Sequence, residues 1–291
     1  MNGKNLSRKT FINMLGIGAA ALSMPGFAIA KPKTSKPKIG FQLYSVRKQI
    51  EKDFELTIQK IAAIGYKGVE TYALPPNIDL KHAAEVFKKN RLEVFSMHTE
   101  LPVGDQRAHI LELADAYGSQ RVVYAGWPQG EKYKDKDAIE KTAARYNEVA
   151  AFLKTKDLKF GLHNHWWEFE LVDNIYPFYY LLEHLDKSIF FELDTYWIKV
   201  GGLTPSKVVR DFGSRAPLLH IKDGPGIKGD KGYEQVPVGK GSMDFIAISE
   251  AGKKSTQWMV VEFDEYTGDI FEGLQSSYTW LTENGLVQKK G

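Results

Sequence analysis

Short apolar runs alternate with longer helix-period segments through most of this chain, and this alternation restricts its fold more than any other feature. A segment with helical periodicity follows each of eight strand-like runs. The predicted strands are Ile39–Tyr44, Gly68–Tyr72, Leu92–His98, Arg121–Ala125, Lys159–His165, Ile189–Asp194, Leu218–Asp223 and Trp258–Phe263. The predicted helices lie near 53–64, 79–90, 105–117, 137–155, 176–185, 205–212, 242–250 and 270–282.

Strands that alternate with helices indicate an α/β protein with a parallel sheet, and eight such units in about 250 residues suit a closed (β/α)8 TIM barrel. An open doubly wound sheet is the alternative. It normally has a glycine-rich phosphate turn after its first strand. Ser45-Val46-Arg47-Lys48 stands at that point here, so the barrel is favoured.

Several helix boundaries have recognisable end signals. Asp53, Asp79 and Asp105 stand where the first residue of a helix is normally capped. Gly65 and Gly118 follow the ends of two predicted helices, where a left-handed conformation is common.

The first thirty residues are predicted to be an export signal. Three basic residues precede an uncharged run from Phe11 to Ala30, which closes on the A-x-A cleavage pattern Ala28-Ile29-Ala30. Ser7–Ile12 is similar to a twin-arginine signal with Lys9 in the second arginine's place. We therefore expect a signal peptide over residues 1–30, a linker over 31–37, a barrel over 38–291, and export to the periplasm.

A membrane anchor is the alternative for the same segment. Glycines, Pro25 and the cleavage pattern favour removal, so we expect no stable membrane anchor after cleavage. The chain has no cysteine, which excludes disulfides and thiolate metal sites. Without the signal, 36 basic residues balance 36 acidic ones. This balance argues against a nucleic-acid partner, and the sequence leaves the oligomeric state open.

Polar side chains recur at the ends of seven predicted strands, on one face of each. Both faces of a parallel sheet covered by helices are buried, so such residues need partners or a function. In a TIM barrel the active site lies at the carboxyl ends of the strands. The pairs that share a face are Gln42 with Tyr44, Glu70 with Tyr72, Ser96 with His98, His163 with His165, Glu192 with Asp194, His220 with Lys222, and Glu262 with Asp264.

Within this set, His163, Asp194, His220 and Glu262 form a mixed nitrogen and oxygen donor group. Such a group suits a borderline divalent ion: Zn, Mn, Co or Fe. Magnesium and calcium prefer oxygen ligands throughout. The sequence therefore predicts a divalent metal cofactor of one of these kinds.

Motifs on six strands resemble one family. They are Gly40-Phe41-Gln42-Leu43-Tyr44-Ser45, Gly65-Tyr66-Lys67-Gly68-Val69-Glu70, Leu162-His163-Asn164-His165, Glu192-Leu193-Asp194-Thr195, Leu219-His220-Ile221-Lys222-Asp223 and Val260-Val261-Glu262. Together they look like the xylose-isomerase-like sugar phosphate isomerase/epimerase superfamily, over residues 38 to about 285. The resemblance implies a metal-dependent barrel that acts on sugars, with metal ligands at residues 163, 194, 220 and 262.

Two positions depart from the pattern of the best-understood epimerases of this superfamily. Those enzymes have a glutamate at the first ligand position, where His163 stands here. They often have a histidine three residues after the aspartate, where Trp197 stands. Proton transfer between two glutamates is therefore not expected in this chain. Residues 163–169 resemble a His-Asn-His-x-x-Glu-Phe version of the segment.

The expected enzyme is a divalent-metal-dependent isomerase or epimerase that acts through an enediolate on a non-phosphorylated sugar or keto-sugar. Glu262, His165 and Lys222 are the predicted catalytic residues. The predicted substrate-binding residues are Gln42, Glu70, His98, Trp167 and Trp197. The expected partner is a small-molecule sugar.

Two further functions stay open. One is a metal-dependent lyase or hydrolase that cleaves 3-keto-glycosides by β-elimination, since elimination shares the enediolate step. The other is a non-catalytic periplasmic sugar-binding barrel. The segment 224–241 is predicted to be a loop over the barrel mouth, either a lid or a long connection.

Overall fold

The structure, a computed structural model, describes residues 35–288. Eight parallel strands of this part of the chain form a closed barrel, in which each strand pairs with the next and β1 pairs with β8. The strands are β1 Lys38–Gln42, β2 Gly68–Thr71, β3 Glu93–Thr99, β4 Arg121–Tyr124, β5 Lys159–His163, β6 Phe190–Asp194, β7 Leu218–Ile221 and β8 Trp258–Val261. The predicted (β/α)8 TIM barrel is confirmed.

Helices follow the strands in chain order. They are α1 Arg47–Lys52, α2 Phe54–Ile64, α3 Leu80–Lys89, α4 Gln106–Tyr117, α5 Lys136–Lys154, α6 Pro177–His184, α7 Thr195–Val200, α8 Pro205–Phe212, α9 Phe245–Gly252 and α10 Ile270–Glu283. Asp53 and Asp79 cap α2 and α3 through their side chains as predicted, whereas Asp105 makes no such hydrogen bond. Within residues 35–288, none of these helices has the length and apolar character needed to cross a membrane.

An apolar layer fills the amino-terminal half of the barrel and forms the floor under the polar residues. The rings of Phe95 and Trp258 stack there with their centroids 4.1 Å apart, and Phe190 belongs to the same buried cluster. A Cβ at Gly40 would lie 2.5 Å from Cε1 of Phe95. Glycine at position 40 therefore leaves the space that the floor requires.

The strands differ from regular alternation and from the predicted strand ends in two details. A register shift between Val69 and Glu70 leaves Phe95 without a partner on β2, so Phe95 and Ser96 do not follow simple alternation. Most strands also end earlier than predicted. β5 stops at His163, so His165 lies in the loop beyond it. The helices α1 and α7 were not predicted.

The residues of the predicted signal peptide, and most of those of the predicted linker, lie outside the described part of the chain. The predicted boundaries at residues 30 and 37 and the predicted export therefore stay predictions.

Asp223 anchors the long loop between β7 and α9. Its buried carboxylate accepts hydrogen bonds from the backbone N–H groups of Gly224, Gly239 and Gly241 at 2.9 Å and from that of Met243 at 3.2 Å. One side chain thus ties both ends of the loop to the end of β7. We infer that the segment is a braced connection rather than a lid.

Glu168 supports the loop after β5. One oxygen of this fully buried carboxyl group accepts a hydrogen bond from the backbone N–H of His165 at 2.8 Å, and the other has no hydrogen-bond partner. Burial raises the pKa of Glu168 to about 8, although the hydrogen bond from His165 opposes this rise. The turn that carries His165 therefore rests on a carboxyl group that resists ionisation.

We expect Asp223→Asn to destabilise the fold by about 2–4 kcal/mol, because an amide oxygen replaces only part of a carboxylate that accepts several backbone hydrogen bonds. Denaturant unfolding monitored by circular dichroism measures the change. The matched control is Asp230→Asn, an exposed aspartate in the same loop that should stay within about 0.5 kcal/mol of the parent. Equal stability of the two variants would contradict the bracing role.

Glu168 should make folding stability depend on pH. Its folded pKa of about 8 lies above the ordinary 4.5, so between these values the folded state holds a proton that the unfolded state has lost, and stability falls as pH rises. Below this window both states are protonated. As the pH rises from 4.5 to about 8, the parent should lose up to about 5 kcal/mol of stability relative to Glu168→Gln. Parallel denaturant curves from pH 5 to 8 test this, and a constant difference would refute it.

Candidate active site

A cavity of about 450 Å³ opens at the carboxyl ends of the strands. Aromatic side chains form its wall: Tyr44, Tyr72, Trp127, Trp197 and Tyr233. Its polar lining comprises His98, Thr99, Glu100, His163, His165, Lys222, Glu262, Asp264 and Glu265. The cavity therefore combines apolar faces with a charged base, at the end of the barrel where the sequence predicted a site.

Lys222 is a buried cation surrounded by carboxylates. Its Nζ lies 3.0 Å from Oδ2 of Asp194, 2.9 Å from Oε2 of Glu262 and 2.8 Å from Oδ2 of Asp264. Burial alone would lower the pKa of Lys222, but these carboxylates hold it well above its usual value. The ammonium group therefore stays charged next to the cavity.

His220 lies between two carboxylates. Its Nδ1 is 2.6 Å from Oε2 of Glu262, and its Nε2 is 2.8 Å from Oε1 of Glu70, to which Gln42 also donates at 2.6 Å. Burial disfavours a charged ring, but the nearby Glu192, Glu262 and Glu70 raise the pKa of His220 well above its usual value. With carboxylates at both nitrogens, this ring is held as an imidazolium.

His98 is held by the same acidic groups from the opposite side. Its Nε2 lies 3.0 Å from Oε1 of Glu70 and donates a short hydrogen bond to Oε2 of Glu192. Burial opposes its charge, yet Glu70 and Glu192 raise the pKa of His98 to about 10. Its ring stacks on that of His220, with the centroids 5.3 Å apart.

Unlike His98 and His220, the histidines of the β5 segment are neutral. Burial lowers the pKa of His163 well below its usual value, and the neighbouring His220 and His98 add to this effect. Burial and the charge of Lys222 do the same for His165. Nδ1 of each ring is buried without a hydrogen-bond partner. Both rings can therefore accept a proton or a cation.

Asp194 and Glu262 are the two carboxylates that the resemblance implies as metal ligands, and they differ in their ionisation. Burial raises the pKa of Asp194. Burial also disfavours the charge of Glu262, but Lys222 and His220 hold its pKa well below the usual range. Glu262 is thus an ionised carboxylate at neutral pH, in contact with the cavity.

Asp194 links the site to the fold. Its Oδ1 caps α7 by accepting from the backbone N–H groups of Tyr196 and Trp197, both at 3.0 Å. Asn164 holds the Asp194 backbone, because Oδ1 of Asn164 accepts a hydrogen bond from the backbone N–H of Asp194 at 2.9 Å. The second oxygen, Oδ2, is left without a hydrogen bond and faces Lys222. The cap therefore fixes one oxygen and directs the other to the site.

The structure places the four predicted metal ligands in two groups that share His220. In one group the ligand atoms of Asp194, His220 and Glu262 lie within 4.8 Å of one another. His163 belongs to the other group, with His98, Glu192 and His220, within the same limit.

The predicted substrate-binding residues also divide into two sets. His98 and Trp197 line the cavity. Gln42, Glu70 and Trp167 are buried and do not line it. The predicted catalytic residues Glu262, His165 and Lys222 all line it.

Sequence reasoning gave no role to three residues at the site: Glu192, Asp264 and Tyr233. The alternation on β6 and β8 places Glu192 and Asp264 on the polar face, but a single side chain of that kind does not reveal its partners. Tyr233 lies in the loop 224–241, where no periodicity applies.

The site has the composition of a cation site. Five carboxylates come together here: Glu70, Glu192, Asp194, Glu262 and Asp264. Lys222 and the charged forms of His98 and His220 offset part of this negative charge. Buried Glu70, His163, Glu192 and Asp194 each have an atom without a hydrogen bond. The chemistry of this donor set, imidazole nitrogens with carboxylate oxygens, fits a borderline divalent ion that would replace the histidine protons.

Comparisons with known proteins agree with the barrel fold. The xylose isomerase-like TIM barrel family matches residues 58–284. No curated protein matches the chain.

Three solved structures illustrate the likeness of fold. A sugar phosphate isomerase/epimerase from Parabacteroides distasonis is 21% identical, with 91% of this chain and 100% of that chain covered and a TM-score of 0.72. The probable 3-DHS dehydratase of petrobactin synthesis from Bacillus anthracis is 14% identical, with 84% and 98% covered and a TM-score of 0.68. The D-allulose 3-epimerase from Methylomonas sp., in complex with D-allulose, is 15% identical, with 86% and 97% covered and a TM-score of 0.62.

The family match spans most of the barrel and agrees with the motifs on its strands, so the predicted resemblance is confirmed and the chain belongs to the xylose isomerase-like TIM barrel family.

Proposed function

We propose that this protein is a divalent-metal-dependent isomerase or epimerase, which acts through an enediolate on a non-phosphorylated sugar or keto-sugar. The observation that carries the proposal is the convergence of Glu262, His165 and Lys222 on one cavity. An ionised carboxylate, a neutral imidazole and a fixed ammonium group are the parts that proton transfer next to a carbonyl requires.

The family resemblance implies that His163, Asp194, His220 and Glu262 hold the metal, which would be Mn, Zn, Co or Fe. When bound, a divalent ion polarises a sugar carbonyl and makes the adjacent C–H bond more acidic. The unpaired Nδ1 of His163 supports a role for this residue as a donor, and Oδ2 of Asp194 makes no hydrogen bond but lies 3.0 Å from Nζ of Lys222.

The chain's own residues move and stabilise the proton and the charge. Glu262 is the proposed base, since it is an ionised carboxylate that lines the cavity. His165 is a second acceptor, because its ring is neutral and faces the cavity. Lys222 stabilises the negative charge that develops on the enolate oxygen. Return of the proton to the other carbon gives isomerisation, and its return to the opposite face gives epimerisation.

The charge of the cavity supports a substrate without a phosphate group. Four acidic residues line it, Glu100, Glu262, Asp264 and Glu265, against two cationic side chains, Lys222 and His98. A sugar phosphate would therefore meet a net negative surface. Tyr44 and Trp127, 40% and 55% exposed, offer ring faces on which a sugar can stack.

A second candidate is a metal-dependent lyase or hydrolase that cleaves 3-keto-glycosides by β-elimination. It uses the same proton abstraction and then expels a β-oxygen. The likeness of fold to the probable 3-DHS dehydratase is compatible with elimination on this barrel. The third candidate, a periplasmic sugar-binding barrel without turnover, rests on the proposed export signal in residues 1–30.

Solvent exchange tests the proton-transfer step. The metal-loaded protein is incubated in heavy water with free ketoses and with 3-keto-glycosides, and mass spectrometry and NMR follow the sugars. We expect deuterium at one carbon next to the carbonyl, and loss of this label in Glu262→Gln. A released aglycone would favour the lyase. Sugar binding without label or product would refute the enzyme and favour the binding barrel.

Lys222→Met should lower kcat for the exchanging sugar by about 10²–10³-fold, because the charge that stabilises the enolate is lost. Steady-state kinetics measure the change. The matched control is Lys228→Met, since Lys228 pairs with Glu170 and does not line the cavity. A Lys222→Met enzyme with the kcat of the control would remove Lys222 from the mechanism.

A further inference from the structure

Three imidazole rings converge on one oxygen of Glu192 inside the barrel. Oε2 of this carboxylate lies 3.2 Å from Nε2 of His220 and 3.3 Å from Nδ1 of His163, and Nε2 of His98 hydrogen-bonds to it. His163 and His98 have their ring centroids 4.9 Å apart, and His163 and His220 have theirs 4.7 Å apart. Three ring nitrogens thus surround one carboxylate oxygen.

Two of the three distances to Oε2 of Glu192 are those of ligands around one ion, and Nε2 of His98 lies closer, at hydrogen-bond distance. Donors bound at about 2.1 Å lie roughly 3.0 Å apart in an octahedral site and roughly 3.4 Å apart in a tetrahedral one. The separations of 3.2 and 3.3 Å fall between these limits. The ligand atoms of His98, His163, Glu192 and His220 all lie within 4.8 Å of one another.

Two atoms of this group are buried and unpaired. Nδ1 of His163, on a residue 5% exposed, lies within 3.3 Å of Glu192 but lacks hydrogen-bond geometry, and Oε1 of the fully buried Glu192 also has no partner. A buried polar atom without a partner costs stability. A cation held by this group would recover the cost at His163.

The other side of His220 is arranged differently. Its Nδ1 meets Glu262 at 2.6 Å, the contact that a metal-bound histidine commonly makes with its second nitrogen. Asp194 and Glu262 already face the ammonium group of Lys222, at 3.0 and 2.9 Å. An ion bound by Asp194 and Glu262 has to compete with this ammonium group, whereas an ion bound at Glu192 has to displace only the protons of His98 and His220.

We infer that His98, His163, Glu192 and His220 form a binding site for a borderline divalent ion. The ion binds at these four residues in preference to the ligand set that the family resemblance implies. The site keeps His163 and His220 and replaces Asp194 and Glu262 with Glu192 and His98. Three imidazoles and one carboxylate suit Zn, Co or Fe rather than Mg or Ca. The inference goes beyond the proposed reaction, since it concerns where the ion binds whatever the substrate is.

A charge-matched pair of variants tests the site. Glu192→Gln and Asp194→Asn each remove one acidic group from the same strand, β6. The full chain is stripped with a chelator and titrated with Co²⁺, and its affinity is measured by calorimetry. We expect Glu192→Gln to weaken binding at least tenfold more than Asp194→Asn. An equal or larger loss in Asp194→Asn would overturn the inference.

A second variant covers the case in which Glu192→Gln does not fold. His98→Gln removes a ligand at the end of β3, and His109→Gln removes an exposed histidine of α4 that belongs to neither group. We expect His98→Gln to weaken Co²⁺ binding at least tenfold and His109→Gln to leave it unchanged. Parent-like affinity in His98→Gln would overturn the inference. These results do not depend on solvent exchange, so the reaction and the site can fail separately.

Discussion

The ion pairs of Lys222 with Asp194, Glu262 and Asp264 make the interior of this barrel possible. A charge that is buried without compensation costs several kcal/mol, and five carboxylates come together in one small region here. Lys222 compensates the group nearest the cavity, while His98 and His220 compensate Glu70 and Glu192 below it. The polar layer is therefore a single network in which each charge depends on its neighbours.

The apolar floor lets this network exist at one end of the barrel without opening the other. Phe95 and Trp258 close the interior beneath Gln42 and Glu70, and Gly40 leaves room for the ring of Phe95. The low polarity below the site strengthens the electrostatic interactions above it. It also explains why burial opposes the charge of every site residue and why only specific partners reverse the shift.

The sequence predicted the barrel and the level of the site, because a closed parallel sheet buries both faces and makes polar strand ends conspicuous. It did not predict which polar residues pair. Pairing depends on the stagger of the strands and on the bulge that places both Phe95 in the floor and Ser96 beside Glu70. The helix α7 was not predicted, for a similar reason. Asp194 is both the N-cap of α7 and a site residue. It can be recognised as a helix cap only when the end of β6 is known.

The histidine at position 163 is consistent with this charge balance. A glutamate there, as in the best-understood epimerases of the superfamily, would add a sixth carboxylate beside Glu192 and Asp194. The buried negative charge would increase, and a further cation or proton would be needed to compensate it. A neutral imidazole offers a donor atom without adding negative charge, and burial keeps it neutral. The charges of Glu192, Lys222 and His163 are therefore interdependent. A change in the charge of one of these residues alters the charge that the other two have to balance.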